Sequence, residues 1–411
     1  MVRTRTAQRT HGFTESVIRE MTRVAQETGA INLAQGFPDF PAPDVLKEAA
    51  CAAIHADLNQ YAVTWGTPRL RQALAAKYAR TYGWQVDEAR EITVTCGATE
   101  AMAAALLATI DPGDEVIVFE PYYENYGPDA ALCGAVPRYV PLPAAGELDT
   151  ARLEQLITAR TRAIVINSPN NPTGRVFTRA ELESIALLCE RHDLIAFTDE
   201  IYEHLVYEGE HIPLATIDGM RDRTVTISGA SKTFSVTGWR IGWIIAPPGM
   251  TGAIRKVHDF LTVGAPAPLQ EACATALEQL GDEYYRELLA RYRRRRAVLH
   301  DALVSAGFQC GLPAGAYYIL ADFSALSDEP DDAFARRLAH GTADAPGVAS
   351  VPGSSFFHRR EDGHGLVRFA FCKHESTLET AHRSLVAFAT AAGTDVARIP
   401  GRGTTLTPET P

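Results

Sequence analysis

The residues best suited to chemistry in this chain surround Lys232, in the string VTISGASKTFSVTGWRIGW. Lys232 ends a short β-type run among the small residues Gly229, Ala230 and Ser231, and Arg240 follows eight residues later, beyond a Thr-Gly turn. Small neighbours allow a flat ring to approach the lysine, and hydroxyl groups with a guanidinium can hold an anionic tail. This pattern is typical of a lysine that forms a Schiff base with the aldehyde of a bound cofactor.

Two further candidate segments follow strand-like runs. Residues 97–99 (Gly-Ala-Thr) follow the run 91–97 and open a helical pattern. Backbone N–H groups and a hydroxyl at a helix N-terminus can bind an anion, although an ordinary strand-to-helix turn has the same composition. Tyr122 and Tyr123 follow the run 115–121, where an aromatic ring could stack on a flat ligand or form a half-buried pair.

Amide and carboxylate candidates follow the next two runs. The segment NSPNNPTG (167–174) is either a tight loop or a loop in which Asn171 donates a hydrogen bond to a ring oxygen. Asp199 ends the run 195–200, and Tyr202 follows three residues later. A carboxylate buried at a strand end is costly unless a cation pairs with it, and a protonated ring nitrogen would be such a cation. The alternative is an aspartate that caps a helix.

Arg368 lies inside the hydrophobic run LVRFAF, where a charge needs a partner. That partner is either a substrate carboxylate, gripped by two parallel hydrogen bonds, or the acid of a structural salt bridge. His358, His364 and His374 lack the spacing of metal ligands, so we expect surface histidines and no metal site.

The elements that must position these residues alternate between strands and helices. Strand candidates are 91–97, 115–121, 136–142, 163–169, 195–200, 225–231 and 242–247, with two more at 316–323 and 365–372. Most are continuous apolar runs, which suit strands buried on both faces. Thr178 and Glu181 form a capping box that predicts a helix over 178–192. The pattern predicts an α/β fold around a mostly parallel sheet, with ligands at the carboxyl ends of the strands.

The pattern changes near residue 283, where a long charged helix leads to a smaller α/β region. We interpret its basic run, 293–296, as a solvated helix face rather than an anion-binding patch. The predicted divisions are an N-terminal arm with part of a small domain (1–45), a large domain (46–284), the rest of the small domain (285–390) and a disordered tail (391–411).

Composition excludes several classes of partner. The chain has 411 residues, is 46% hydrophobic and carries a formal net charge of -11, which argues against a nucleic-acid partner. No apolar run approaches the roughly 20 residues that span a bilayer. Arg3, Arg5 and Arg9 precede no apolar segment, so we expect no secretory signal; a transit peptide is the minor alternative to a flexible arm. Seven scattered cysteines fit a reducing cytoplasm better than disulfides.

The chain resembles the class I/II aminotransferases, which are fold-type I enzymes that depend on pyridoxal 5'-phosphate. The resemblance covers roughly residues 12–390. The matching strings are SGASKTFSVTGWRIGW, PNNPTG, TDEIYEHLVY, GATEAM, EPYYENYGP and VRFAF. The strings INLAQGFPDFPAPD and NQYAVTWGTPRLR resemble the branch that includes kynurenine, glutamine and methionine aminotransferases. The resemblance implies a central, mostly parallel seven-stranded sheet with helices on both faces, and a smaller α/β domain built from both termini.

The resemblance also implies a role for each matching residue. Lys232 would hold the cofactor and later shuttle the proton, with Asp199 on the pyridine nitrogen and Tyr202 and Asn171 on the ring oxygen. Tyr123 would stack on the ring, while the phosphate would be held by Gly97, Ala98, Thr99, Ser228, Ser231 and Arg240. Arg368 and the backbone of Gly36, together with Asn171, would bind the substrate. Tyr61 would reach the phosphate of a neighbouring subunit, in a homodimer with shared active sites.

The implied reaction is transfer of an amino group from an L-amino acid to a 2-oxo acid. A β-lyase, a replacement enzyme or an oxidase on the same scaffold is the alternative, and a non-enzymatic sensor is disfavoured because no DNA-binding domain precedes the matching region. The chain has Gly229 where many relatives have a serine. It also has small residues in FLTVGAPAP (260–268), where kynurenine aminotransferases place aromatic and histidine side chains. A preference for kynurenine is therefore not expected. No arginine can be assigned to a carboxylate on the substrate side chain, so we favour a neutral or aromatic amino donor such as methionine, glutamine or phenylalanine.

Overall fold

A computed structural model describes residues 5–143 and 146–391 of the chain. Within these ranges the strands are β1 (Ile31–Asn32), β2 (Ile92–Thr95), β3 (Glu115–Glu120), β4 (Val136–Pro141), β5 (Thr161–Asn167), β6 (Ile195–Asp199), β7 (Thr224–Gly229), β8 (Gly242–Ile245), β9 (Tyr318–Asp322), β10 (Val348–Ala349), β11 (Val351–Pro352) and β12 (Leu366–Ala370). The α-helices are α1 (Val17–Thr28), α2 (Asp44–His55), α3 (Pro68–Tyr82), α4 (Gly97–Thr109), α5 (Tyr126–Cys133), α6 (Thr150–Gln155), α7 (Arg179–Arg191), α8 (Ala230–Thr233), α9 (Pro248–Thr262), α10 (Ala267–Gln279), α11 (Asp282–Ser305), α12 (Asp331–His340) and α13 (Glu375–Ala391). All nine strands predicted from the sequence are present, within three residues at each end.

Seven strands form the central sheet, in the order β2-β8-β7-β6-β5-β3-β4. All neighbouring pairs are parallel except the two that involve β8, which is antiparallel to both β2 and β7. Every residue of β2, β6, β7 and β8 is buried, as continuous apolar runs predict. The predicted fold class, a mostly parallel seven-stranded sheet, is therefore confirmed.

Helices cover both faces of this sheet because alternate residues of its strands enter separate hydrophobic clusters. Val118 and Val165 pack in one cluster with residues of α4, α5 and α9. Ile117 and Ile166, which point the opposite way, pack in another cluster with residues of α6 and α7. Helix α7 begins at the predicted capping box, in which Thr178 and Glu181 each accept a hydrogen bond from the other's backbone.

A smaller α/β region lies beside the central sheet and uses both ends of the described chain. Its strands form the antiparallel sheet β11-β12-β9 and the parallel pair β1-β10. The backbone N–H of Ala370 donates to the carbonyl of Leu33 at 2.7 Å, which ties the end of β12 to the segment after β1. One hydrophobic cluster joins residues 18–34 to residues 288–389. The exact boundaries at 45, 284 and 390 remain predictions.

Helix α11 carries the basic run, and the interpretation of this run as a solvated face is wrong for Arg295. Its guanidinium is buried and stacks 4.0 Å from the centre of the Phe40 ring. Arg293 and Arg294 are exposed, whereas Arg296 forms a salt bridge with Glu208. Arg295 and Arg296 therefore connect α11 to neighbouring segments, as the residues of a fully solvated helix face would not.

Three other expectations concern the surface and the ends of the chain. His358, His364 and His374 are exposed, as predicted. No helix in the described ranges combines the length and the apolar character needed to cross a membrane. Of the predicted disordered tail, only Ala391 is described, and it ends α13; residues 392–411 lie outside the described ranges.

Candidate active site

A cleft of about 500 Å³ lies at the carboxyl edge of the central sheet, between the sheet and the smaller region. It is lined by loops after β3, β5, β6 and β7, by the first turns of α1 and α4, and by β12. The predicted site residues that line it are Gly36, Ala98, Thr99, Tyr123, Asn171, Asp199, Tyr202, Ser231, Lys232, Arg240 and Arg368. Side chains that are far apart in the sequence are therefore brought to one place, as parallel strand topology requires.

Lys232 lies in the short helix α8, directly after the buried strand β7. Its Nζ donates to the carbonyl oxygen of Gly36 at 3.2 Å and forms no salt bridge with any described residue. Burial lowers the pKa of this amine to about 8, although the negative charge of Asp199 partly opposes the shift. About a tenth of the amine is therefore neutral at pH 7, far more than for an ordinary lysine, and this neutral form can attack an aldehyde.

Asp199 ends β6, and its carboxylate is held by two hydrogen bonds. Its Oδ2 accepts from the hydroxyl of Tyr126 at 2.7 Å, and its Oδ1 accepts from the backbone N–H of Ile201 at 3.3 Å. Burial raises the pKa of Asp199, while the hydrogen bond from Tyr126 acts in the opposite direction. Among the described residues Asp199 has no salt-bridge partner, so a cationic ring nitrogen would supply the missing positive charge.

Helix α4 and Arg240 form a second part of the cleft, suited to an anion. Helix α4 begins at Gly97 directly after β2, and its N-terminal turn presents Ala98 and Thr99 to the cleft. Arg240 donates to the carbonyls of Thr237 at 3.0 Å and Cys96 at 3.4 Å, and no salt bridge to a described residue neutralises it. A guanidinium beside a helix N-terminus favours a phosphate group.

Gly97 shows how closely these two elements approach each other. Its φ is +82°, and an added Cβ would lie 2.3 Å from Nη2 of Arg240. The positive φ favours glycine at this position, and a side chain there would force the guanidinium of Arg240 to move. The antiparallel register, which pairs Thr95 with Gly242, brings Arg240 to this point.

Arg368 on β12 is fully buried and approaches the cleft from the smaller region. It donates to Oδ1 of Asn171 and to the carbonyl of Ala34, each at 2.7 Å, and it stacks 4.1 Å from the centre of the Tyr318 ring. In the described residues it has no carboxylate partner, and its Nε has no hydrogen-bond acceptor. A structural salt bridge therefore does not explain its burial, whereas a ligand carboxylate in the cleft would.

Of the tyrosines near the cleft, Tyr123, Tyr202 and Tyr318 line it, whereas Tyr122 does not. Tyr123 lines the cleft, while Tyr122 is buried against Tyr139, with ring centres 5.2 Å apart. The hydroxyl of Tyr202 shares a hydrogen bond of 3.0 Å with that of Tyr318. Tyr123 is therefore the member of its pair that can stack on a ligand ring.

Ser228 was predicted to hold the phosphate, and the structure contradicts this. Its hydroxyl is buried outside the cleft and donates to Oε1 of Glu203 at 2.9 Å. Glu203 also forms a fully buried salt bridge with Lys77 and accepts from the hydroxyl of Tyr82 at 2.7 Å. Successive residues of a strand point to opposite faces of the sheet, so the side chain of Ser228 is directed away from the cleft. Ser231, beyond the end of the strand, does line the cleft.

Tyr61 and Gly229 are not part of the cleft lining. Tyr61 is 89% exposed and does not line the cleft of its own chain. At Gly229, a Cβ would lie 3.0 Å from the carbonyl oxygen of Ile241 and 3.1 Å from Cδ1 of Ile201. The serine that many relatives have at this position would therefore require its neighbours to move.

Several residues of the cleft were missed by the sequence reasoning. Tyr126 and Asp129 come from α5, Tyr318 from β9 and Arg19 from the first turn of α1. Tyr126 is part of the matching string EPYYENYGP and could have been found there. Arg19, Asp129 and Tyr318 belong to ordinary helix or strand patterns, which give no local signal of function.

The cleft as a whole fits a flat cationic ring that carries an anionic group. Asp199 supplies negative charge, Asp129 leaves its Oδ2 without a partner, and Arg240 beside Gly97 supplies a cradle for an anion. Lys232 lies in the same cleft, with an amine whose pKa of about 8 makes it reactive. Pyridoxal 5'-phosphate has each of the complementary groups: a ring nitrogen, a phosphate and an aldehyde.

Comparison with known proteins agrees with this geometry. The family model described as aminotransferase class I and II matches residues 28–385. The chain is 40% identical to the probable N-succinyldiaminopimelate aminotransferase DapC of Mycobacterium tuberculosis, over 92% of this chain and 98% of that protein. It is 36% identical to human kynurenine–oxoglutarate transaminase 1, over 92% of this chain and 97% of that protein.

Solved structures give the same result. The N-succinyldiaminopimelate aminotransferase of Mycobacterium tuberculosis superimposes with a TM-score of 0.89 at 40% identity, covering 93% of this chain and 100% of that one. Escherichia coli YbdL, for which a methionine aminotransferase function is identified, superimposes with a TM-score of 0.87 at 35% identity, covering 93% of this chain and 100% of that one. The resemblance inferred from the motifs is therefore confirmed.

Proposed function

The chain belongs to the class I and II aminotransferases, which depend on pyridoxal 5'-phosphate, and we propose that Lys232 is the residue that binds this cofactor covalently. As a member of this family, the enzyme transfers an amino group from an amino acid to a 2-oxo acid. The observation that carries the proposal is the buried amine of Lys232, whose pKa is lowered to about 8 and whose Nζ has only the carbonyl of Gly36 as partner. Such an amine is neutral often enough to form a covalent bond with an aldehyde and then to accept a proton.

The remaining cofactor contacts follow from the cleft. We propose that the N-terminal turn of α4, Ser231 and Arg240 hold the phosphate, and that Asp199 keeps the ring nitrogen protonated. When bound, the cofactor withdraws electrons from the Cα of the amino acid, which is otherwise a very weak acid. Tyr126 fixes the Asp199 carboxylate by a hydrogen bond of 2.7 Å, so this residue joins the proposed set, while Ser228 leaves it.

Four further residues complete the proposed contacts. Tyr123 would stack on the ring, and Tyr202 and Asn171 would contact the ring oxygen. Gly36 lies directly against the hydroxyl of Tyr318, where an added Cβ would be 2.0 Å from the oxygen, so only glycine fits at this wall of the cleft. Its backbone can therefore approach the substrate closely.

Arg368 is proposed to grip the α-carboxylate of the substrate. Two of its nitrogen atoms already donate to protein oxygens, and its unpartnered Nε remains available. The plane of the guanidinium is fixed by the ring of Tyr318, so a carboxylate that binds it adopts one orientation. A fixed carboxylate places the Cα–H bond toward Lys232, which favours proton transfer over loss of the carboxylate.

A direct experiment on Lys232 combines spectroscopy with chemical trapping. The purified chain mixed with pyridoxal 5'-phosphate should absorb visible light, and borohydride reduction followed by peptide mapping should label Lys232. Lys256, in the exposed part of α9, provides a matched control position. Absence of a label, or a label on another lysine, would contradict the assignment.

Amino transfer is distinguished from a lyase, a replacement enzyme or an oxidase by its products. The relatives named above are aminotransferases, which supports amino transfer. Incubation with an amino acid and a 2-oxo acid should form a new amino acid in equal amount to the donor consumed. Release of ammonia or hydrogen peroxide in an amount equal to the donor consumed would instead indicate lyase or oxidase chemistry.

For the donor, we propose a neutral or aromatic amino acid. Arg19 supports a second candidate, an acidic donor, because this exposed residue is part of the cleft lining and has no salt-bridge partner among the described residues. A panel of methionine, glutamine, phenylalanine and glutamate would separate the two classes. An acidic preference that disappears in Arg19→Ala, with methionine turnover unchanged, would establish the second candidate.

We also propose that the enzyme is a homodimer with shared active sites. Its support is a set of exposed apolar side chains in two segments of the chain, 54–63 and 260–263: Ile54, Leu58, Tyr61, Val63, Phe260, Leu261 and Val263. Tyr61 and Phe260 are 89% and 92% exposed, which is unusual for large aromatic residues on a free surface. A second subunit would cover them and allow Tyr61 to reach the phosphate of its partner.

Hybrid dimers provide a sharp test of this arrangement. A Lys232→Ala subunit and a Tyr61→Ala subunit each form defective homodimers, but their hybrid contains one site with both residues intact. The hybrid should therefore recover about half of the wild-type activity per dimer. A hybrid no more active than the Tyr61→Ala homodimer would show that Tyr61 acts within its own chain.

The proposed compartment is the cytoplasm. All seven cysteines lie in the described ranges and none forms a disulfide. Unpaired thiols, four of them buried, are compatible with a reducing compartment. Fractionation of cells with an antibody against the chain would test this, and recovery in a secreted or membrane fraction would contradict it.

A further inference from the structure

Asp129 is a buried acid in the cleft that the proposed function leaves unused. It lies on α5, is only 6% exposed and lines the same cleft as Asp199 and Lys232. Its Oδ2 has no hydrogen-bond partner, and no lysine, arginine or histidine of the described residues forms a salt bridge with it. A buried carboxyl without partners is costly, so a group that is missing from the protein alone is expected to pair with it.

The helix that carries Asp129 also carries Tyr126, whose hydroxyl donates to Asp199 at 2.7 Å. The two residues are three positions apart, so they lie on one face of α5. The titratable groups whose charges interact with Asp129 are Asp199 on β6 and Tyr123, Tyr126 and Cys133 around α5, none of which is a cation. Asp129 therefore belongs to the part of the cleft in which Asp199 would meet the ring nitrogen.

Burial, followed by the charge of Asp199, raises the pKa of Asp129 to about 7. Two neighbouring carboxyl groups resist carrying two negative charges when no cation is near. A cation bound against Asp199 would relieve this repulsion and favour ionisation of both groups. The negative charge of Asp129 therefore complements a positively charged ligand, whereas the same charge is unfavourable in the protein alone.

We propose that Asp129 is a positioning residue that adds a second negative charge in the part of the cleft that contains Asp199, and so helps to hold the ring nitrogen of the cofactor in its protonated form. This inference rests on the proposed function, because it assigns the cofactor nitrogen to Asp199. The simpler explanation is that Asp129 only stabilises α5 as an acid in its first turn. The two explanations differ in whether the effect of Asp129 depends on the ring nitrogen.

The experiment compares two ligands on the full chain. One is pyridoxal 5'-phosphate, and the other is its analogue in which carbon replaces the ring nitrogen. Dissociation constants are measured from the visible absorbance for the wild type and for Asp129→Asn, which preserves shape and removes the charge. Asp129→Ala serves as a second variant with different packing, and circular dichroism checks that both variants are folded.

With pyridoxal 5'-phosphate, both variants should bind about tenfold more weakly, which corresponds to roughly one unit in the pKa of the ring nitrogen. With the carbon analogue the change should be less than about twofold, because there is no nitrogen to protonate. Nitrogen-15 NMR of labelled cofactor should show a smaller protonated fraction in Asp129→Asn. Equal effects on the two ligands, or no effect on either, would overturn the inference. If the wild type itself does not bind pyridoxal 5'-phosphate, the proposed function fails instead.

Discussion

The buried salt bridge between Lys77 and Glu203 provides a prediction about the rear of the active site. Lys77 comes from α3, and Glu203 follows Tyr202 by one residue, so the pair joins α3 to the loop that carries site residues. Both side chains are 2% exposed. Replacing Glu203 by Gln leaves the ammonium of Lys77 buried without a counter-charge, and we expect the protein to lose about 3–5 kcal/mol of stability.

The size of the effect can be converted into a melting temperature. Unfolding entropy is about 2 cal/mol/K per residue, so a loss of about 4 kcal/mol should lower the Tm of a cooperative 411-residue chain by roughly 5 °C. Glu203 also accepts from Tyr82 at 2.7 Å and from Ser228 at 2.9 Å. Glutamine offers one oxygen to these donors, so some of the network is retained and the loss should stay within this range.

The pH dependence of the two single variants should have opposite signs. Burial alone would raise the pKa of Glu203, but the groups around it, of which Lys77 has the largest effect, lower the value to about 2. In Lys77→Met that charge is gone, so the native state should bind a proton more readily than the unfolded state and its stability should fall as pH rises. In Glu203→Gln, the unpaired Lys77 should lose its proton more readily in the native state, so stability should rise with pH.

Thermal unfolding by circular dichroism at pH 6, 7 and 8, with the cofactor removed, measures these differences. The double variant Lys77→Met/Glu203→Gln has no buried unpaired charge and should be more stable than Glu203→Gln alone. Additive losses in the double variant, or pH slopes of the same sign in the two single variants, would refute the reasoning. Exposed salt bridges such as that between Lys47 and Asp44 provide the control, because their loss should change the Tm very little.

Three further predictions concern the cleft itself. Arg368→Lys keeps the charge but loses the planar fork, so kcat/KM for the amino donor should fall about 100-fold with the cofactor absorbance unchanged; a loss below threefold would contradict its role. Gly97→Ala places a methyl group 2.3 Å from Nη2 of Arg240 and should weaken pyridoxal 5'-phosphate binding by at least about tenfold in an absorbance titration, while unchanged affinity would show that α4 can move. Because the pKa of Lys232 is lowered to about 8, the rate of covalent cofactor binding should rise with pH and level off above about 8; stopped-flow traces that keep rising toward pH 10 would contradict this.

The sequence was sufficient to predict the large sheet and the place of the cleft. Inner strands such as β3 and β5 are buried on both faces, so they appear as apolar runs (VIVF and AIVI) that need no knowledge of their neighbours. Polar residues at their carboxyl ends must then meet at one edge of the sheet. Asp199 and Lys232 could be assigned to the same cleft for this reason. The two-residue strands β1, β10 and β11 could not be predicted, since such short pairs depend on tertiary contacts.

Side-chain direction was the main quantity that the sequence left open. Ser228 and Ser231 flank the end of β7, and the choice between them depends on the residue at which the strand gives way to α8. The burial of Arg295 likewise depends on Phe40, which lies 255 positions away in the chain. Contacts of this kind are decided by packing between distant segments, which local patterns do not encode.

The reversed direction of β8 has a consequence for how far this scaffold can be altered. Because β8 runs against β7, one connection of about a dozen residues leaves the ligand edge with Lys232 and returns to it with Arg240. The span between the covalent and the ionic attachment points of the cofactor is thus set by the length of a single loop. An insertion there would separate the two anchors, whereas loops at the opposite edge of the sheet could grow without disturbing either.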